Sequence, residues 1–91
     1  MTTPTTSTIV QAINKTGMAT AEASPKNRID ITLPNHNYRF AWVSTGIPKR
    51  TVEYFEYNQY GTRLARVSVE YPPARWNVDN IVSKLVERLP Q

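Results

Sequence analysis

Residues 50–71 constrain the fold of this chain more than any other stretch. They read Arg-Thr-Val-Glu-Tyr-Phe-Glu-Tyr, then Asn-Gln-Tyr-Gly, then Thr-Arg-Leu-Ala-Arg-Val-Ser-Val-Glu-Tyr. β-Branched and aromatic residues dominate both arms, alternation is close to period two, and the middle is Asn and Gly, which predicts a β-hairpin. A turn at 58–61 places Tyr57 opposite Thr62, Phe55 opposite Leu64, Glu53 opposite Arg66 and Thr51 opposite Ser68. One face then carries Val52, Tyr54, Ala65, Val67 and Val69, and the other Glu53, Phe55, Tyr57, Leu64, Arg66 and Ser68. Apolar side chains stand on both faces. A slip of one residue would exchange the two sets.

A second hairpin precedes it. Residues 28–33 alternate strictly, and so do 38–43 after Pro34-Asn35-His36-Asn37. Pairing Leu33 with Tyr38 brings Ile31 to Phe40 and Ile29 to Trp42, so six large apolar side chains share a face. Arg28, Asp30, Thr32, Arg39, Ala41 and Val43 take the other. Adjacent hairpins with a short link continue as an antiparallel meander.

After Tyr71, Pro72 and Pro73 cannot donate ladder hydrogen bonds and end the sheet. Asn77 is placed as an N-cap, Asp79 sits at the positive end of the helix dipole, and Trp76 with Ile81 occupies the staple positions. Val78, Ile81, Val82, Leu85 and Leu89 form one stripe of a C-terminal helix that Pro90 stops. Near the other end, Ile9, Val10 and Ile13 have helical spacing, with Ser7 or Thr8 as cap and Gly17 beyond the end, although β-branched residues leave a short strand as the competing reading. Residues 18–27 read as a connecting loop with room for a short extended piece. Residues 1–7, nearly all Thr, Ser and Pro, are expected to be a disordered leader before a single domain over 8–91. The expected fold is α+β: a four-stranded antiparallel meander, a C-terminal amphipathic helix on one face, and a short N-terminal helix or strand near the other.

The sequence has no cysteine and one histidine, His36, inside a polar turn, so neither a thiolate metal site nor a Cys–His pair is available. Gly17, Gly46 and Gly61 form no phosphate-binding loop. Glu53 and Glu56 point to opposite faces of one strand and cannot act on one bond. A non-enzymatic chain without metal or cofactor is therefore expected. No apolar run approaches ~18 residues and no secretory signal is present, so the expectation is a soluble, cytoplasmic protein without a membrane partner.

Binding remains, in two forms. With 11 Lys and Arg against 7 Asp and Glu, the chain carries +4, and Arg28, Arg39, Lys49, Arg50, Arg63 and Arg66 near exposed rings could hold nucleic acid. Asp30, Glu53 and Glu70 dilute that potential. The preferred form is protein–protein contact, as in an inhibitor, adaptor or assembly subunit. Ala41, Val43, Phe55, Tyr57 and Leu64 would make an apolar patch that a small soluble domain seldom leaves bare. Either residues 9–13, another protein or a second copy of the chain would cover it. Arg39, Phe55, Tyr57, Leu64 and Arg66 are the expected contact residues.

Overall fold

Among the described residues two α-helices and five strands succeed one another: α1 (Thr6–Thr16), β1 (Thr20–Ser24), β2 (Arg28–Thr32), β3 (Tyr38–Ser44), β4 (Arg50–Tyr57), β5 (Arg63–Tyr71) and α2 (Val78–Leu85). This computed structural model describes residues 4–44 and 49–88. The strands form one antiparallel meander in the order β1-β2-β3-β4-β5. The fold is α+β, with five strands where the sequence suggested four. The additional strand, Thr-Ala-Glu-Ala-Ser, is poor in β-branched and aromatic residues, and pairing with β2 along its whole length supplies what its composition does not.

Both helices lie on the same side of the sheet. α1 packs against α2 as well as against β1 and β2, while α2 reaches β4. The expectation that residues 9–13 cover the second face is thereby corrected: Ile9 and Ile13 join Ile81, Val82 and Leu85 over Ala21, Ile29, Ile31, Ala41, Val52 and Tyr54 in a single core. The apolar stripes of two short helices find more area to bury against each other and one sheet face than separately on two faces. Fully burying one such Ile or Leu contributes about 1.5–3 kcal/mol.

Local chemistry fixes the helix ends. Thr5, not Ser7 or Thr8, is the N-cap of α1; its Oγ1 accepts a hydrogen bond from the Thr8 amide at 3.1 Å, and Gly17 closes the helix with φ 71°. Pro4 is buried, Thr5 is the cap and Thr6 and Ser7 begin the helix, so residues 4–7 of the expected leader belong with α1. Asn77 caps α2 as predicted, accepting from the Asn80 amide at 2.8 Å. That helix ends at Leu85, and the expected roles of Leu89 and Pro90 fall outside the described residues.

Two registers differ from expectation, with different consequences. In β4–β5, Phe55 faces Arg66 and Glu53 faces Ser68, a shift of two residues that preserves which side chains share a face. A bulge absorbs the difference: Glu56 pairs with Ala65 and Tyr57 with Arg63, leaving Leu64 as the extra residue. The Asn58 side chain sets this loop, its Oδ1 accepting from the amides of Tyr60 and Thr62, both at 2.9 Å.

In β2–β3 the shift is one residue, and it turns β3 over. Ile31 pairs with Arg39 and Ile29 with Ala41, not with Phe40 and Trp42. The loop has three residues rather than four: the Leu33 amide donates to the Asn37 carbonyl at 2.8 Å, and His36 adopts φ 71°. A three-residue hairpin loop whose last member is left-handed is a favoured closure. Arg39, Ala41 and Val43 consequently face the helices, and Tyr38, Phe40 and Trp42 face away.

Candidate contact surface on the open sheet face

The side of the sheet without helices carries an aromatic surface organised in rows. Glu22, Asp30, Phe40, Phe55 and Arg66 stand side by side, one per strand, across all five strands. Thr20, Thr32, Tyr38, Tyr57 and Arg63 make a parallel row. Trp42 pairs with Glu53, which pairs with Ser68, in a third. Cross-strand ring pairs of this kind stabilise a sheet by about 0.2–1 kcal/mol each.

Five rings of β3 and β4 stand on this face: Tyr38, Phe40, Trp42, Phe55 and Tyr57. Tyr38 stacks on Tyr57 with centroids 5.3 Å apart and a 15° interplanar angle, and Phe40 tilts against both at 5.2 and 5.6 Å. Trp42 meets Phe55 edge-on at 5.9 Å and 88°. Trp42 remains 37% exposed, while the other four are half-buried.

Arginines frame the rings. The Arg28 guanidinium carbon lies 4.4 Å from the Phe40 centroid, and Arg66 and Arg63 approach Phe55 at 5.7 and 6.0 Å. Two of these cations are already neutralised. Arg28 Nε donates to Asp30 Oδ1 at 2.7 Å, and Arg66 Nη2 to Glu53 Oε2 at 3.1 Å. Burial alone would raise the Asp30 carboxyl, but hydrogen bonds from Arg28 and Ser24 outweigh it and hold the group below its ordinary value. On this face Arg28, Arg63 and Arg66 stand against four carboxylates, Glu22, Asp30, Glu53 and Glu70. The positive charge of the chain is therefore not concentrated here.

The residues singled out from sequence separate accordingly. Phe55, Tyr57, Arg28, Arg63 and Arg66 are together on the open face. Leu64 adjoins them at the bulge and is 51% exposed. Arg39 is a correction: it is 1% exposed on the helix side and unavailable to either kind of partner. Opposite it stands Glu56, which accepts from Arg39 Nε at 2.8 Å, and Arg39 also donates to the carbonyls of Leu85 and Glu87 at 2.7 and 2.6 Å. Arg50, half-buried opposite Tyr71, and Lys49, just before β4, belong to neither aromatic row. Ala41 and Val43 also left the open face when β3 turned over.

Tyr38, Phe40 and Trp42 are the residues that sequence reasoning missed. Alternation alone left two registers for β3, and only the three-residue loop ending at His36 selects between them.

Other polar groups serve the fold. Tyr54 Oη donates to Glu87 Oε2 at 2.7 Å, and burial followed by that bond pushes the Tyr54 phenol well above its ordinary range. Lys84 Nζ pairs with Glu87 at 3.1 Å beside an open groove of about 350 Å³ lined by Tyr71, Arg75, Asn80, Ser83, Lys84 and Glu87. Among the described residues no three His, Asp or Glu side chains gather as a metal site, and no helix is long and apolar enough to cross a membrane. Comparisons with protein-family models, with curated proteins and with solved structures found no match to this chain.

Proposed function

We propose that this chain is a non-enzymatic binding protein that acts by pressing the open aromatic face of its sheet against another protein. The observation that carries this reading is the five-ring surface Tyr38, Phe40, Trp42, Phe55 and Tyr57, framed by arginines yet richer in carboxylates than in cations. Aromatic residues and arginine supply most anchors of protein interfaces, and a ring face with balanced charge suits a protein surface better than a phosphate backbone. Nucleic-acid binding by stacking on the same rings is the second reading. Arg28 over Phe40 favours it, because stacked guanidiniums and rings hold unpaired bases. The carboxylates beside Arg28 and Arg66 oppose it, since each cancels a charge that would displace a counterion.

The test is the apparent mass of the chain in an extract of its own cells, measured by size exclusion with light scattering, with and without nuclease. The wild type should elute well above its 10.4 kDa and be unaffected by nuclease. Phe40→Ala with Phe55→Ala should weaken the association at least about 30-fold while unfolding stays cooperative. Loss of the large species on nuclease treatment would transfer the face to nucleic acid. Elution of the wild type at its own mass would remove both readings.

A further inference from the structure

Resting on that reading, we infer that the protein seated on the open face is a second copy of this chain, related by a two-fold axis running parallel to β3. The row Glu22, Asp30, Phe40, Phe55, Arg66 is acidic on β1 and β2, aromatic on β3 and β4, and basic on β5. Laid on its own reverse, the row sets Glu22 against Arg66 at both ends and Phe40 against Phe40 at its centre, while Asp30, already bonded to Arg28 and Ser24, comes over Phe55.

Laying one sheet on another by rotation about β3 puts β1 over the partner's β5 and β2 over the partner's β4. Glu22 then meets the partner's Arg66, and Phe40 meets the partner's Phe40. In the next row, continuing the Ile29–Ala41 pairing, Arg28 and Glu53 flank Trp42 on either side. The same rotation brings Arg28 to the partner's Glu53 and Trp42 to the partner's Trp42. A two-fold axis across the strands would instead lay β1 on β1 and β5 on β5. With that axis along the row of Phe40 and Phe55, Glu22 would face Glu22 and Arg66 would face Arg66, so like-charge repulsion disfavours that orientation.

Size agrees with this assignment. Five strands about 4.8 Å apart and roughly seven residues long at about 3.3 Å each project roughly 500 Å² before side-chain relief is counted. That is the order of the ~800 Å² a side of a standard interface. A domain of this length buries only ~60% of its unfolded surface, and pairing through the rings adds to that burial. Face-to-face pairing of aligned sheets about 10 Å apart leaves room for both layers of rings.

Exchange of charges tests the assignment in the purified protein, by sedimentation equilibrium from about 1 to 100 μM, the upper end lying a hundredfold above a micromolar dissociation constant. The wild type should weigh twice the 10.4 kDa chain. Glu22→Arg and Arg66→Glu, both at exposed positions, should each weaken pairing at least about tenfold, with unchanged far-UV spectra. An equimolar mixture of the two variants should associate at least about tenfold more tightly than either alone, because a mixed pair restores opposite charge at both contacts. A monomeric wild type overturns the inference. So does a dimer indifferent to Glu22→Arg, as pairing through the free edge of β5 would be. A purified monomer that still forms a Phe40- and Phe55-dependent complex in extract would remove the second copy and leave the binding face with a foreign partner.

Discussion

Arg39 shows how one side chain decides the architecture. The β2–β3 register places it on the face that packs against the helices, where an unpaired guanidinium would be prohibitive. Glu56 stands directly across the ladder, Asn37 donates to the second Glu56 oxygen at 3.1 Å, and the Arg39 guanidinium lies 4.4 Å from the Tyr54 ring centre. Its two remaining arms hold the carbonyls of Leu85 and Glu87, where α2 ends and the helix dipole is negative. Arg39→Met should therefore cost about 3–5 kcal/mol in urea unfolding, because it strands a buried carboxylate and two carbonyls. Arg39→Met combined with Glu56→Leu should cost less than Arg39→Met alone, since no buried charge is left unpaired. Equal or greater loss in the double variant would assign the penalty to the helix carbonyls.

Tyr54 provides the pH signature of the same cluster. Its phenol is raised by burial and by the bond to Glu87, and Tyr71 is raised by burial in the same direction. Above the ordinary value of 10.0 the unfolded chain releases these protons and the folded chain keeps them, so the folded state binds more protons. Stability should thus be full below about pH 10 and fall as pH rises beyond it. Tyr54→Phe should flatten that alkaline limb in pH-dependent thermal unfolding, leaving the part due to Tyr71. An unaltered limb would mean that Tyr54 does not govern it.

Elements differed in how readily the sequence disclosed them. α2 was legible because an Asn cap, an acidic first turn and an apolar stripe agree, and that agreement is local. The β4–β5 faces were legible despite the wrong pairing, since a two-residue error conserves parity. β3 was not, because the loop at residues 34–36 holds its left-handed position with His36 instead of glycine. β1 was hidden for a related reason: its composition is weak for a strand, and the turn leading to β2 places Lys26 and Asn27 at positive φ without any glycine to announce it. The helical nature of residues 6–16 could be read from spacing, but not the face they cover, which depends on contact with α2. Among the expected contact residues, the hairpin alone was enough to place Phe55, Tyr57 and Arg66 on the open face, with Leu64 beside them at the bulge. Tyr38, Phe40 and Trp42 required the neighbouring register, and Arg39 was misassigned by the same one-residue error.

Taken together, the chain divides labour between the two sides of one sheet. The helix side supplies the core and encloses a satisfied charged pair; the open side gathers rings, arginines and carboxylates, and among the described residues neither helix lies above them. Every functional statement depends on which way β3 faces, and the absence of cysteine makes that orientation directly testable. Paired residues on adjacent antiparallel strands have Cα atoms about 4.5–5.5 Å apart, within disulfide reach. Asp30→Cys with Phe40→Cys should therefore cross-link within the monomer under mild oxidation and keep the wild-type far-UV spectrum, while Ile31→Cys with Phe40→Cys should stay reduced. The opposite result, with Ile31 and Phe40 joined and Asp30 and Phe40 free, would return the rings to the core and remove the contact surface.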